Sequence, residues 1–448
     1  MTVYIPLSKA RIAVFRNEFI NDPERVRMQN AVTRVGIDDV ALRHDRVVSL
    51  DTTMSVRLDD WEVTNQRKSG RCWLFASLNL FRYGAAKKLK VKNFEFSQNH
   101  AMYWDKLERA NLFLNDIIAT ADQPVDGRLV SFLLETLLGD GGQWNMAMSV
   151  YKKHGVVPKQ LMPETQSSGN TARMNQSLRA ILRQGAKELR DLIGAGATPG
   201  ELENKRDAYI VAAHSILTTH LGTPPAEFDW QWRDDSGRLH RDGVLTPQEF
   251  FSRYVTVPVD EFVCLVDDPR PEHPKGAALT VDYLGNVVGG DPVRYINAPI
   301  SEMKRLAIEA LIAGEPVWFG CDVGKMMARK EGLWSADLYD LGGVYGTEFT
   351  LDKENRVRYG ESLMTHAMLF TGVDLVDGIP RRWRVENSWG DENGDKGFYT
   401  MDDSWFNEYV FEVAVDGRNL TGELSAAITA DPLHLPPWDP MGALAAGA

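Results

Sequence analysis

Hydrophobic residues recur at helical spacing through the first half of the chain and at strand spacing through the second. Cys72-Trp73-Leu74-Phe75-Ala76 opens an apolar, helix-like run, and residues 98–114 read as a further helix. Met174, Leu178, Ile181, Leu182, Ala186, Leu189, Leu192 and Ile193 fall on one helical face. Thr198-Pro199-Gly200-Glu201 then fits a capping box with proline at the first helical position, opening a helix to about residue 220. From about 255 the pattern shortens into strands at 262–266, 278–283, 316–319, 363–373, 382–387 and 411–415, with one helix at about 301–313. Helices first and strands afterwards predict an α+β fold. Five segments follow: an N-terminal arm (1–58), a helical part (59–165), a helical insertion (166–255) whose two amphipathic helices predict a packing surface, a strand-rich part (256–425) and a tail (426–448). In the tail, Leu435-Pro436-Pro437 is stiff and cannot continue a helix, which predicts an extended arm.

Composition narrows the class. A chain of 448 residues, 44% hydrophobic and 25% charged, can bury a large core, and no apolar run is long enough to span a membrane. The first residues lack the basic and apolar regions of a secretory signal, so a cytoplasmic location is expected. Three cysteines, 72, 264 and 321, are too few and too scattered for a disulfide framework. Cys264 and Cys321 read as buried strand thiols with no nearby histidine, so neither a metal nor another cofactor is expected. A net charge of −12 argues against a nucleic-acid partner, and the basic run from Lys87 to Lys92 reads as a solvated helix end. The segment Asp391-Glu392-Asn393-Gly394-Asp395-Lys396-Gly397 superficially matches a calcium loop. It carries Lys396 where glycine is required and Asp402 where glutamate is required, and is better read as a turn. Sequons at Asn175 and Asn419 carry little weight without a secretion signal.

Candidate chemistry centres on Cys72. Gly70 lets backbone approach a ligand closely, and the helix beginning at Cys72 offers a dipole that favours thiolate. Gln66, six residues earlier, supplies an amide donor for a developing oxyanion. A thiol nucleophile needs a base, and the base an orienting group. Of nine histidines, His366 stands apart in an apolar strand, and the next strand ends in Asn387-Ser388-Trp389-Gly390. Pairing of the two strands through a turn near Asp377-Gly378 would bring the Asn387 oxygen to one imidazole nitrogen, leave the other facing Cys72, and let Trp389 shield that bond.

Gln66, Cys72, His366 and Asn387, in this order, resemble the papain-like cysteine peptidases. Residues 71–76, 104–111, 141–144, 316–323, 364–367, 385–390 and 435–445 are similar to one branch, the bleomycin hydrolase or aminopeptidase C family. The resemblance implies a papain-like two-lobe fold, with the helical lobe carrying Cys72 and a β-barrel-like lobe carrying His366 and Asn387. It also implies a helical insertion that assembles subunits into a homohexamer, and a C-terminal arm in the cleft whose terminal carboxylate meets the substrate's free α-amine. Leu444, Ala445 and Ala448 are the arm residues so implied. The family's arm stops at or one residue past the position of Ala445, whereas here Ala446-Gly447-Ala448 follow. The implied activity is a cysteine aminopeptidase acting on peptides through a thioester. If the arm does not block the cleft, a papain-type endopeptidase or a thioester acyltransferase is the alternative.

Overall fold

The computed structural model describes residues 4–58 and 61–446. The predicted order of elements is present. The helix Cys72–Leu89 runs through the middle of the molecule with nearly every residue from Cys72 to Arg82 buried, which explains why its sequence is apolar on all faces. It ends at Lys90 in the left-handed conformation (φ 59°). Gln98–Ala119 and Trp144–His154 pack around it to form the helical lobe.

The second lobe is built on a sheet in which Phe262–Val266, Val410–Asp416, Val317–Cys321, His366–Val376, Ile379–Glu386 and Phe398–Asp402 lie side by side, each antiparallel to the next. Asp377 (φ 52°) and Gly378 (φ 79°) form the expected two-residue turn between the fourth and fifth of these. Positive φ at both positions matches the right-handed twist of the flanking strands. The lobes meet where Trp318 on the sheet reaches the backbone oxygen of Trp73 (3.5 Å) and packs edge-on against Trp144 (5.9 Å between ring centres).

Three expectations need correction. Residues 166–255 are not purely helical: after the helices Ala172–Gly194 and Pro199–Leu221 comes a hairpin, Phe228–Arg233 with Leu239–Leu245, and then the helix Pro247–Tyr254. The apolar stripe of the first two helices is also spent inside this chain. Met174, Leu178, Leu182 and Leu189 are buried, as are Tyr209, Ala213 and Leu217 opposite, and Gly185 lies so close to the Tyr209 ring that a Cβ there would be 2.9 Å from it. Third, the tail is not extended to its end. Leu433–Leu435 adds a strand parallel to Ala278–Val281, but Pro440–Gly442 is a 3-10 turn and Ala443–Ala446 a turn of α-helix. Among the described residues no helix is long and apolar enough to cross a membrane.

Candidate active site

Cys72 is the first residue of its helix, and the loop before it is held by buried charge. The Gly70 N–H donates to Asp140 (3.2 Å), and a Cβ on Gly70 would sit 2.9 Å from that side chain. Asp140 also accepts from Lys106 (2.6 Å), Asn175 (2.7 Å) and the Thr171 hydroxyl, while its backbone oxygen accepts from the Trp73 indole (2.7 Å). One carboxylate thus ties the cysteine loop, the helix Gln98–Ala119 and the insertion together. The Asn175 sequon is consumed in this network. Arg71, fully buried, makes a two-pronged pair with Glu164 (2.9 and 2.7 Å).

His366 opens its strand directly opposite Cys321, which corrects the expectation that this cysteine has no histidine nearby. The segment leading to His366 is held by Asp322, which accepts from the Ser362 hydroxyl (2.8 Å) and the Leu363 N–H (3.3 Å). Across the hairpin, Asn387 Oδ1 accepts from His366 Nε2 (2.9 Å) and from the Ser388 N–H (2.8 Å). The Ser388 bond fixes the amide with its oxygen toward the imidazole, which leaves His366 Nδ1 as the ring's basic nitrogen. Trp389 lies against His366, 4.9 Å between ring centres.

Gln66 is strapped to the same segment: its N–H donates to the Ser388 backbone oxygen (2.8 Å), and its Oε1 accepts from the Ser388 hydroxyl (2.6 Å). Its Nε2 donates to the Ser69 backbone oxygen (2.6 Å). The amide retains a second N–H for a ligand. The roles of Ser388, Ser69, Asp140 and Asp322 escaped the sequence reading; Ser388 and Asp322 lay inside the segments 385–390 and 316–323, whereas nothing local marks Asp140.

Gln66, Gly70, Cys72, His366, Trp389 and Leu444 line one cavity of about 400 Å³, and Asn387 stands behind His366. Ala445 instead faces a neighbouring pocket beside Asp116 and Phe132. Ala448 lies outside the described residues. The tail is anchored where it passes the site. Arg270 grips Asp439 with two bonds (3.0 and 2.8 Å), and the Met441 oxygen accepts from Tyr295 (3.0 Å) and Gln143 (3.4 Å). Arg128 stacks over Trp438 at 3.6 Å.

The family model of the Peptidase C1-like family matches residues 6–442. This chain belongs to that family. Aminopeptidase C of Streptococcus thermophilus is 44% identical over 419 residues, covering 93% of this chain and 94% of the relative. Bleomycin hydrolase of Homo sapiens is 41% identical over 449 residues, covering 98% and 99%. The crystal structure of PepW from Lactobacillus rhamnosis HN001 superposes with a TM-score of 0.96 at 42% identity, covering 98% and 99%. The α+β fold is the papain-like one.

The charge states at this Peptidase C1-like site follow from burial. Burial pushes the Cys72 thiol up to about 11, against the peptide N–H groups of Ala367, Trp73 and Cys72, which favour thiolate. Burial also drives His366 down to about 4, opposed by the Asn387 oxygen. Each group alone is held neutral. A proton passed from Sγ to the imidazole would create two opposite charges that favour each other.

Proposed function

We propose that this chain is a cysteine aminopeptidase that removes N-terminal residues from peptides through a thioester intermediate. The observation that carries the reading is the single cavity shared by Cys72, His366, Gln66 and the chain's own Leu444. Its alternative, a papain-type endopeptidase or acyltransferase, lacks any use for the anchored tail.

In this reading Cys72 Sγ gives its proton to His366 and attacks the scissile carbonyl. The negative charge moves to the carbonyl oxygen, which takes hydrogen bonds from the free N–H of Gln66 and from the Cys72 backbone. As the C–N bond breaks, His366 returns the proton to the leaving amine. Water, deprotonated by His366, then attacks the thioester, and Sγ leaves as thiolate. Asn387 holds the imidazole in the required tautomer, Trp389 keeps water from that bond, and Gly70 leaves room for substrate backbone. None of these steps distinguishes a chain end. That role falls to the tail, with Leu444 walling the cleft and a carboxylate at Ala448, or at Ala445 after trimming, pairing with the substrate's α-amine.

The same reading assigns 59–165 and 256–425 as the two catalytic lobes, 1–58 as an N-terminal arm, 166–255 as the insertion and 426–448 as the gating arm. It includes a cytoplasmic homohexamer, which light scattering on the purified protein tests. The deciding experiment removes residues 436–448 and follows products from a free and an N-terminally blocked peptide by mass spectrometry. The full chain should release single residues from the free peptide and spare the blocked one, and the truncated chain should cut both. A truncated enzyme that still removed only N-terminal residues would sink the role of the tail.

A further inference from the structure

We propose that Arg329 forms a carboxylate-binding subsite on the leaving-group side of the cleft, so that the enzyme favours short peptides carrying a carboxylate about two residues beyond the cleaved bond. The inference rests on the aminopeptidase reading and names part of its substrate class.

The reaction gives the cavity two functional sides. His366 must protonate the leaving nitrogen, so the departing fragment lies on the imidazole's side and passes over Trp389, which packs on His366 at 4.9 Å. Leu444 of the tail walls the same cavity, and in the aminopeptidase reading the substrate's N-terminal residue lies toward it. Above the Trp389 ring, 4.7 Å from its centre, sits the Arg329 guanidinium, on an exposed residue.

Among the described residues Arg329 has no carboxylate partner, in contrast to exposed Arg358, which is paired with Glu272 and Glu354. The closest contact of Arg329 among the described residues is aromatic, the Trp389 ring, with Tyr399 near enough to feel its charge. A guanidinium stacked on an indole is held by its face while its edge N–H donors point outward, a geometry that matches a carboxylate. The acidic group lining the cavity, Asp140, is already neutralised by Lys106 and three further donors. Lys68, also on the cavity wall, adds positive charge. The two separations put Arg329 no farther from His366 than about two to three extended residues. The C-terminus of a tripeptide cleaved after its first residue falls within this reach, as does an acidic side chain at the same place.

The test measures kcat/KM of the full-length protein on leucyl-alanyl-alanine, on its C-terminal amide and on the amide of leucyl-alanyl-glutamate. The wild type should favour both carboxylate substrates over the neutral amide, and the preference should shrink as salt is added. Arg329→Ala should lower the two carboxylate substrates roughly two- to fivefold relative to the neutral amide, and Arg329→Glu should reverse the preference. A loss confined to the free acid would assign the subsite to peptide C-termini, and one confined to the glutamyl amide would assign it to acidic side chains. Unchanged ratios among the three overturn the subsite. If the wild type fails to cleave the neutral amide while both carboxylate forms are also inert, the aminopeptidase reading falls and the subsite with it.

Discussion

The amide of Gln66 has two N–H groups and one carbonyl oxygen, and the protein consumes all but one N–H. Ser69 and Ser388 take the others at 2.6 Å each. Because Ser388 adjoins Asn387, the segment that orients His366 also orients Gln66, the proposed oxyanion donor. Gln66→Ala should therefore lower kcat by roughly 10²- to 10³-fold, the size of effect seen for other side-chain oxyanion donors. Losing the two fixed hydrogen bonds should cost only about 1–3 kcal/mol of stability. Steady-state kinetics beside a thermal melt separate the two, and unchanged turnover would remove Gln66 from the mechanism.

At the scale of elements, the strand Val410–Asp416 carries a charge problem that predicts a pH response. Glu412 is wholly buried beside Cys264, whose thiol hydrogen goes to Asn145 Oδ1 (3.7 Å), and neither Glu412 oxygen has a hydrogen-bond partner. Burial raises its carboxyl from near 4.5 to about 8. A carboxyl raised in the folded state stabilises the fold fully below its unfolded value, and that contribution is lost as pH climbs from about 4.5 through 8. Glu412→Gln stays neutral, so it should match the wild type near pH 4.5 and exceed it by up to about 4 kcal/mol near pH 8. Melts across that range test this, and parallel curves would refute it. Five of the six long strands were legible as runs of apolar residues, which the fold buries on both faces, and the Asp377-Gly378 turn because its backbone demands are local; Phe398–Asp402 was missed. The hairpin at 228–245 was missed although Phe228, Trp230 and Trp232 alternate, because Pro199–Leu221 before it sets a helical period. The short helical turn at Ala443–Ala446 was hidden by the stiff prolines before it. Cys72, His366, Asn387 and Gln66 were readable from their motifs. Asp140 and Asp322 were not, since their partners are brought to them only by folding.

Across the whole molecule, the tail joins the two lobes to the site, and its grip should decide which substrates enter. Arg270 is shared between Asp268 and Asp439, all three buried, so the tail is pinned by a charge pair that water does not screen. Removing one member of such a pair costs about 3–5 kcal/mol. If that cost falls on docking of residues 439–446, the undocked population rises by roughly 10²-fold or more. Asp439→Ala should then cleave an N-terminally blocked peptide far faster than the wild type, while Cys72 keeps its reactivity toward an alkylating agent. The strand Leu433–Leu435 would still hold the base of the tail, so the gain should stay below that of removing 436–448 outright. Equal rates for Asp439→Ala and wild type, with the truncated chain active on the blocked peptide, would shift the anchor to Tyr295 and Gln143 at the Met441 oxygen. Inactivity of both variants on the blocked peptide would mean that chain-end selectivity is built into the lobes themselves.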